Sequence, residues 1–171
     1  MRLLHKGECE FSFEVCFDLD CFYRFLDIND SEKGINRLFG LSYGLRPWLK
    51  GRRFVPAHKK DAVWIGWKPS RFQNLIQLFL CCYQKGVGEC HYLTSMCIAG
   101  EQYYLQVVYN RGALKCVVID TELMLEVASL ALRGIYLPVN NWGYLLYPHL
   151  AKKAPTSRKM NIHLNKIKLF K

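Results

Sequence analysis

The sequence predicts an all-β protein folded as an antiparallel β-sandwich or jelly roll. Three observations predict it. Short apolar runs recur with a period of two, separated by turn residues at intervals of roughly 8–12 positions. Aromatic residues make up 14% of the chain, and such side chains pack well on a pleated surface. No regular alternation of strands with long helical stretches occurs, which argues against a parallel α/β sheet.

The first element is the clearest. In EFSFEVCFDL (residues 10–19), Phe11, Phe13, Val15, Phe17 and Leu19 alternate with Glu10, Ser12, Glu14, Cys16 and Asp18. One face enters a core and the other is acidic. Residues 27–37 carry Asn, Asp, Ser and Gly and read as a polar loop. Leu38–Tyr43 is a short strand, and residues 44–61 form a long basic loop with two prolines and two glycines. Val63–Trp67 is the next strand, ending near Pro69. Residues 73–85 (QNLIQLFLCCYQK) read as a strand buried on both faces, closed by Gly86-Val87-Gly88 and returned by His91–Ile98.

Residues 102–119 form a hairpin. Tyr103, Leu105, Val107 and Tyr109 lead into Asn110-Arg111-Gly112, and Leu114, Cys116 and Val118 return. Residues 121–133 fit two readings. One is a short helix capped by Asp120 or Thr121 and ended by Gly134. The other is a continued meander through Leu123, Leu125 and Val127. Met160, Ile162 and Leu164 mark a last strand. No linker or internal repeat interrupts residues 1–171, so a single domain is expected, and a chain of this length buries a sufficient core without a staple.

The formal net charge is +10, unevenly spread. Residues 1–32 hold eight acids against three bases. Residues 33–71 hold ten bases against Asp61, and residues 152–171 hold seven bases and no acid. A surface of this sign concentrates anionic partners: nucleic acid, an acidic sugar or an acidic protein surface. The apolar run at Leu75–Tyr83 is far short of the roughly 20 residues that span a bilayer, so no membrane partner is expected. His5, Lys6, Glu8 and Glu10 break any secretory apolar run. A cytoplasmic setting is therefore expected, with eight reduced cysteines that behave as small buried hydrophobes. No C-x-x-C pair occurs. An irregular metal site would draw on Cys81-Cys82 and Cys90-His91, but no metal and no cofactor is expected.

Two segments carry a resemblance: AHKKDAVWIGW (Ala57–Trp67) and YLLYPHLAKKAPTSRKMNIHLNKIK (Tyr144–Lys168). They resemble a group of small, uncharacterised bacterial proteins whose first segment reads His-x-Asn-Ser-x-Arg-apolar-Gly-Trp. Their second segment reads Tyr-Pro-Tyr-Phe-Gly-Gly and, after a gap, Ala-Pro-His. His58, Gly66, Trp67, Tyr147, Pro148, Ala154 and Pro155 match. Lys60-Asp61, His149-Leu150-Ala151 and Thr156 depart from the pattern. The resemblance implies a lectin-like, concanavalin-type sandwich and no particular reaction.

No phosphate-binding loop, dinucleotide fingerprint, zinc-protease or nucleophile-elbow motif is present, which disfavours the common enzyme classes. The catalytic candidates are Glu14, Asp18 and Asp20: Glu14 and Asp18 share the acidic side of the first strand with Glu10, and Asp20 extends that side if the strand continues. Carboxylates two positions apart lie roughly 7 Å from each other, near a spacing used in sugar hydrolysis. The alternative is a solvated strand face. The anion-binding candidates are Arg46, Arg52, Arg53, Lys59 and Lys60 in the basic loop, with Lys152 and Lys153. Trp48 and Trp64 are the stacking candidates. Loops of a sandwich gather at its ends, so Arg46–Lys60 and Lys152–Lys168 are expected on one side.

These features favour a non-enzymatic binding module for a polyanion (nucleic acid) or an acidic protein. A carbohydrate-binding or carbohydrate-cleaving sandwich is the alternative. A small interaction or inhibitor protein is a third reading.

Overall fold

The structure is a computed structural model. It describes residues 8–21, 34–43, 49–50, 53–54, 61–70, 75–98, 100–137, 144–149 and 161–170. Twelve strands lie among them: β1 (Glu8–Phe17), β2 (Asn36–Ser42), β3 (Leu49–Lys50), β4 (Arg53–Phe54), β5 (Ala62–Pro69), β6 (Leu75–Gln84), β7 (Val87–Ile98), β8 (Gln102–Asn110), β9 (Ala113–Asp120), β10 (Leu125–Arg133), β11 (Tyr144–Leu146) and β12 (Ile162–Phe170). A single 3-10 turn, Leu19–Cys21, follows β1.

Two five-stranded antiparallel sheets carry the architecture. The first has the order β10-β9-β8-β1-β12 and the second β11-β2-β5-β6-β7; β3 and β4 form a separate pair. The chain is thus the expected sandwich. The alternation in β1 does what its period requires. Phe11, Phe13, Val15 and Phe17 are fully buried between the sheets, meeting Phe39 and Trp67 from the second sheet. Val63, Ile65, Ile76, Leu78, Leu80, Leu105, Val107 and Val118 fill the same core. Strand β6 is buried on both sides: Ile76, Leu78, Leu80 and Cys82 face this core, while Phe79 and Cys81 belong to a second cluster on the far face.

Turn chemistry sets the registers. Lys85-Gly86 joins β6 to β7, and Arg111-Gly112 joins β8 to β9, each with positive φ at both residues. Two-residue loops of this kind match the twist of paired strands. The sandwich has two ends. Phe17, Pro69, Ile98, Gln102 and Asp120 mark one, called here the Phe17 end. Glu8, Ala62, Gln84, Asn110 and Arg133 mark the other, the Glu8 end.

Two expectations are corrected. Residues 121–133 are not helical: a turn at 121–124 leads into β10, which pairs with β9 from Leu125↔Asp120 to Arg133↔Ala113. Asp120 Oδ1 accepts from the N–H groups of Glu122 and Leu123, so the side chain that would have capped a helix closes a tight turn instead. The cysteines are not all reduced, because Cys81 and Cys90 are joined in a disulfide. They are partners across the β6–β7 hairpin, and the register brings them together. Cys9, Cys16, Cys21, Cys82, Cys97 and Cys116 are free.

Candidate functional site

The outward face of the second sheet concentrates aromatic and cationic side chains. Register fixes which residues share it. On β5, Val63, Ile65 and Trp67 enter the core, so Ala62, Trp64, Gly66 and Lys68 point the other way. Trp64 lies between Gly40 on β2 and Cys81 on β6; Gly66 pairs with Phe79, and Lys68 with Gln77. Phe79 in turn pairs with Tyr92, and Tyr83 with Gly88, on β7.

Glycines let the rings lie flat on this sheet. A Cβ on Gly66 would stand 2.9 Å from Trp64 Cζ3, and one on Gly88 would stand 2.1 Å from Tyr83 Cδ1. The Trp64 and Tyr83 rings are stacked, with centroids 6.2 Å apart and planes 10° apart. The Phe79 and Tyr92 rings meet edge to face at 5.9 Å. Lys68 Nζ sits 5.2 Å from the Phe79 centroid, within cation–π range. Trp64 and Phe79 are buried, whereas Tyr92 is 52% exposed and is the open ring of the group.

Arg37 completes the face from the start of β2. Its backbone N–H and C=O both bond to His149 at 2.9 Å, and its Nε donates to the Tyr147 carbonyl at 2.9 Å. These bonds hold the segment 147–149 alongside β2 as a continuation of β11, and they leave the Tyr147 ring exposed. Burial pushes the Arg37 guanidinium below its ordinary value. By register, no carboxylate stands on this face among the described residues. Such a surface can stack a sugar ring on Tyr92 and can pair anionic groups with Lys68 and Arg37.

The acidic candidates stand on the outward face of the first sheet. Glu14 is buried to 8% exposure. Its Oε1 accepts from Lys166 Nζ at 2.8 Å and its Oε2 from Gln102 Nε2 at 2.6 Å. Glu10 accepts from Gln106, and Asp18 Oδ1 lies 3.5 Å from His163 Nε2. Asp20 is exposed in the 3-10 turn, away from the strand. The side chains thus form a ladder with partners on β8 and β12.

Arg46, Arg52, Lys59, Lys60, Lys152, Lys153 and Trp48 lie outside the described residues, and of Arg53 only the backbone in β4 is described. The residues flanking the two basic segments are placed. Tyr43 and Asp61, joined by an N–H to carbonyl bond of 2.6 Å, stand at the Glu8 end. His149 and Asn161 stand toward the Phe17 end. The shared side expected for Arg46–Lys60 and Lys152–Lys168 falls mostly on residues outside the described ones. Trp64, expected as a stacking platform, is buried with its ring against Tyr83.

Arg37, Lys68, Phe79, Tyr92 and Tyr147 were not singled out as site residues from the sequence. The alternation of Gln77, Phe79, Cys81 and Tyr83 along β6 was the available signal. Among the described residues, no group of three His, Cys, Asp or Glu side chains is placed to hold a metal ion, and no helix is long and apolar enough to cross a membrane.

No protein family matches the chain by sequence, and no curated protein does either. Solved structures share its fold. The chain is similar to an alginate lyase from Pseudomonas aeruginosa, with a TM-score of 0.58 and 9% identity, over 96% of this chain. It spans 65% of that enzyme's length. It is also similar to a functionally unknown protein from Saccharomyces cerevisiae, with a TM-score of 0.53 and 11% identity, over 99% of this chain and 72% of that one. At such identities the likeness establishes the sandwich fold alone.

Proposed function

We propose that this chain is a non-enzymatic binding module for an acidic polysaccharide, held across the outward face of the second sheet. The observation that carries the reading is the grouping of Lys68, Phe79 and Tyr92 beside Arg37 on a face with no described carboxylate. A pyranose ring stacks on an exposed aromatic ring, and its carboxylate pairs with a cation held nearby. The net charge of +10 favours the same class of ligand. The fold shared with an alginate lyase is consistent with the ligand class, since alginate is itself a polyanionic sugar chain.

Calorimetric titration tests it with alginate, polygalacturonate, a neutral mannan and a single-stranded oligonucleotide, each at two salt concentrations. The acidic glycans bind and weaken with salt, and the neutral one does not bind. Tyr92→Ala and Lys68→Ala each weaken alginate about tenfold, as loss of a ring or cation contact worth about 1–2 kcal/mol requires. Preference for the oligonucleotide, or equal binding of the neutral glycan, would overturn the ligand class. Growth of unsaturated-uronate absorbance during incubation with alginate would overturn the non-enzymatic reading.

A further inference from the structure

We propose that copies of this chain associate head to tail, the Phe17 end of one docking on the Glu8 end of the next. Among the described residues the two ends are complementary in charge, and each exposes apolar side chains. At the Phe17 end the β9–β10 turn presents Leu123, Met124 and Leu125 at 67%, 78% and 59% exposure, flanked by exposed Glu122 and Glu126. Leu19 and Ile98 are exposed at the same end. Three consecutive exposed apolar residues are unusual at a hairpin tip, where polar turn residues are the rule.

The tip is held firmly. Asp120 Oδ1 accepts from two turn N–H groups at 2.9 Å, and Thr121 donates to the Gln102 carbonyl through both its N–H and its hydroxyl. Such a turn presents its side chains at little further entropic cost.

At the Glu8 end, Lys85, Arg111 and Arg133 are all exposed, together with Val87 and Tyr136. Their turns are joined. Tyr136 N–H donates to Gln84 Oε1 at 2.7 Å, and Ile135 N–H donates to the Gly112 carbonyl at 3.1 Å. Among the described residues, Glu8 lies 4.0 Å from Arg111 Nε, and the buried Asp61 accepts from the Lys85 N–H at 2.7 Å through its Oδ1, which leaves the exposed cations in excess. An acidic rim around an apolar tip therefore has its counterpart, a basic rim around Tyr136 and Val87, on the opposite end of the same molecule. A lipid surface is the poorer occupant for the tip, because Glu122 and Glu126 would be driven against the headgroups. Since the contact joins two different patches, it does not close on itself and builds linear assemblies.

Sedimentation velocity tests this with the full chain at low salt. The weight-average mass at least doubles between dilute and concentrated samples, and added salt reduces it. One variant, Leu123→Asp with Met124→Asn, removes the tip. Met124 has φ +53°, a conformation that asparagine tolerates well, so the turn is preserved. A second variant, Arg111→Asp with Arg133→Glu, removes the basic end; Arg111 has φ +43° and aspartate tolerates it. Each variant alone stays monomeric. Mixed, they form a one-to-one heterodimer and nothing longer, because each keeps one intact end. Should either double variant lose its strand signal by circular dichroism, Met124→Asn and Arg133→Glu take their places singly. A wild-type chain that is monomeric throughout overturns the proposal. So does self-association of the basic-end variant alone, which would mean a symmetric contact between tips. Capture of a monomeric wild-type chain on phosphatidylcholine vesicles would assign the tip to lipid and overturn it as well.

Discussion

Gly40 lies so close to Trp64, its partner on β5, that a Cβ at position 40 would stand 2.4 Å from Trp64 Cβ and 2.3 Å from the Val63 carbonyl oxygen. The Val63 oxygen is backbone, and Trp64 Cβ does not move when the side chain rotates, so no rotamer change relieves the clash. Gly40→Ala should lower stability by about 3 kcal/mol, at the upper end of overpacking costs. Gly134, with φ +74° and open space around it, is the control: alanine there costs roughly 1 kcal/mol, from backbone conformation alone. Urea denaturation of both variants checks the contrast, and equal losses would contradict it.

The Cys81–Cys90 disulfide closes a short loop, with a sequence separation of 9. Loop-closure entropy of that size corresponds to about 2–3 kcal/mol. Dithiothreitol should therefore lower the wild-type denaturation midpoint. A Cys81→Ala, Cys90→Ala variant should show the lower midpoint with or without reductant. A midpoint in the wild-type chain that ignores reductant would contradict the assignment.

Burial raises all six free thiols from an ordinary 9.0: Cys9 and Cys82 to about 11, Cys21, Cys97 and Cys116 to about 12, and the half-buried Cys16 in the same direction. Above pH 9 the unfolded chain releases these protons while the folded chain retains them. Stability is full below pH 9 and falls as pH rises toward 11–12, by about 1.4 kcal/mol per pH unit for each thiol. Cys116→Ala should flatten the alkaline limb, even though its cavity lowers stability at neutral pH. A limb of unchanged slope would count against a protonated Cys116. Below pH 9 a maleimide should label Cys16 first, because it is the one free thiol that is not buried.

Glu14 accepts one hydrogen bond at each carboxylate oxygen, from Lys166 and from Gln102, and is 8% exposed. Lys166→Ala should cost about 1 kcal/mol, the range of a pair with one exposed partner. Glu14→Gln should leave glycan affinity unchanged within twofold, because the carboxylate lies on the other sheet. A large loss of affinity in Glu14→Gln would move the binding site to the first sheet.

Much of this fold was legible in the sequence. Phe11 through Phe17 alternate without interruption, so the core face of β1 was readable residue by residue. Asn110-Arg111-Gly112 marked its hairpin because a glycine there accommodates positive φ. The double burial of β6 followed from its nearly continuous apolar run. Residues 121–133 stayed open between two readings, since Leu123, Val127 and Leu130 satisfy a helical period as well as they satisfy a meander. Only the β9 ladder decided the matter, and that partner is a tertiary fact. The outward face of the second sheet was hidden for a similar reason. Lys68, Phe79 and Tyr92 come from three strands, and nothing local joins them. The Cys81–Cys90 bond depends on the Lys85-Gly86 turn, whose register runs uninterrupted from Gln84↔Val87 to Phe79↔Tyr92, whereas the sequence pattern marks the returning strand only from His91.

The pairing of β1 with β12 places Glu14 beside Lys166 across 152 positions of sequence. In time this means that β1 leaves the ribosome well before the strand it waits for, β12. Through that interval β1 offers a bare row of amide and carbonyl groups, the geometry that invites mispairing between neighbouring chains. Its Glu10, Glu14 and Asp18 then repel the same strand on another nascent copy. The acidic ladder so acts during synthesis as a guard on an unfinished sheet, and Glu14 and Asp18 meet Lys166 and His163 once β12 arrives.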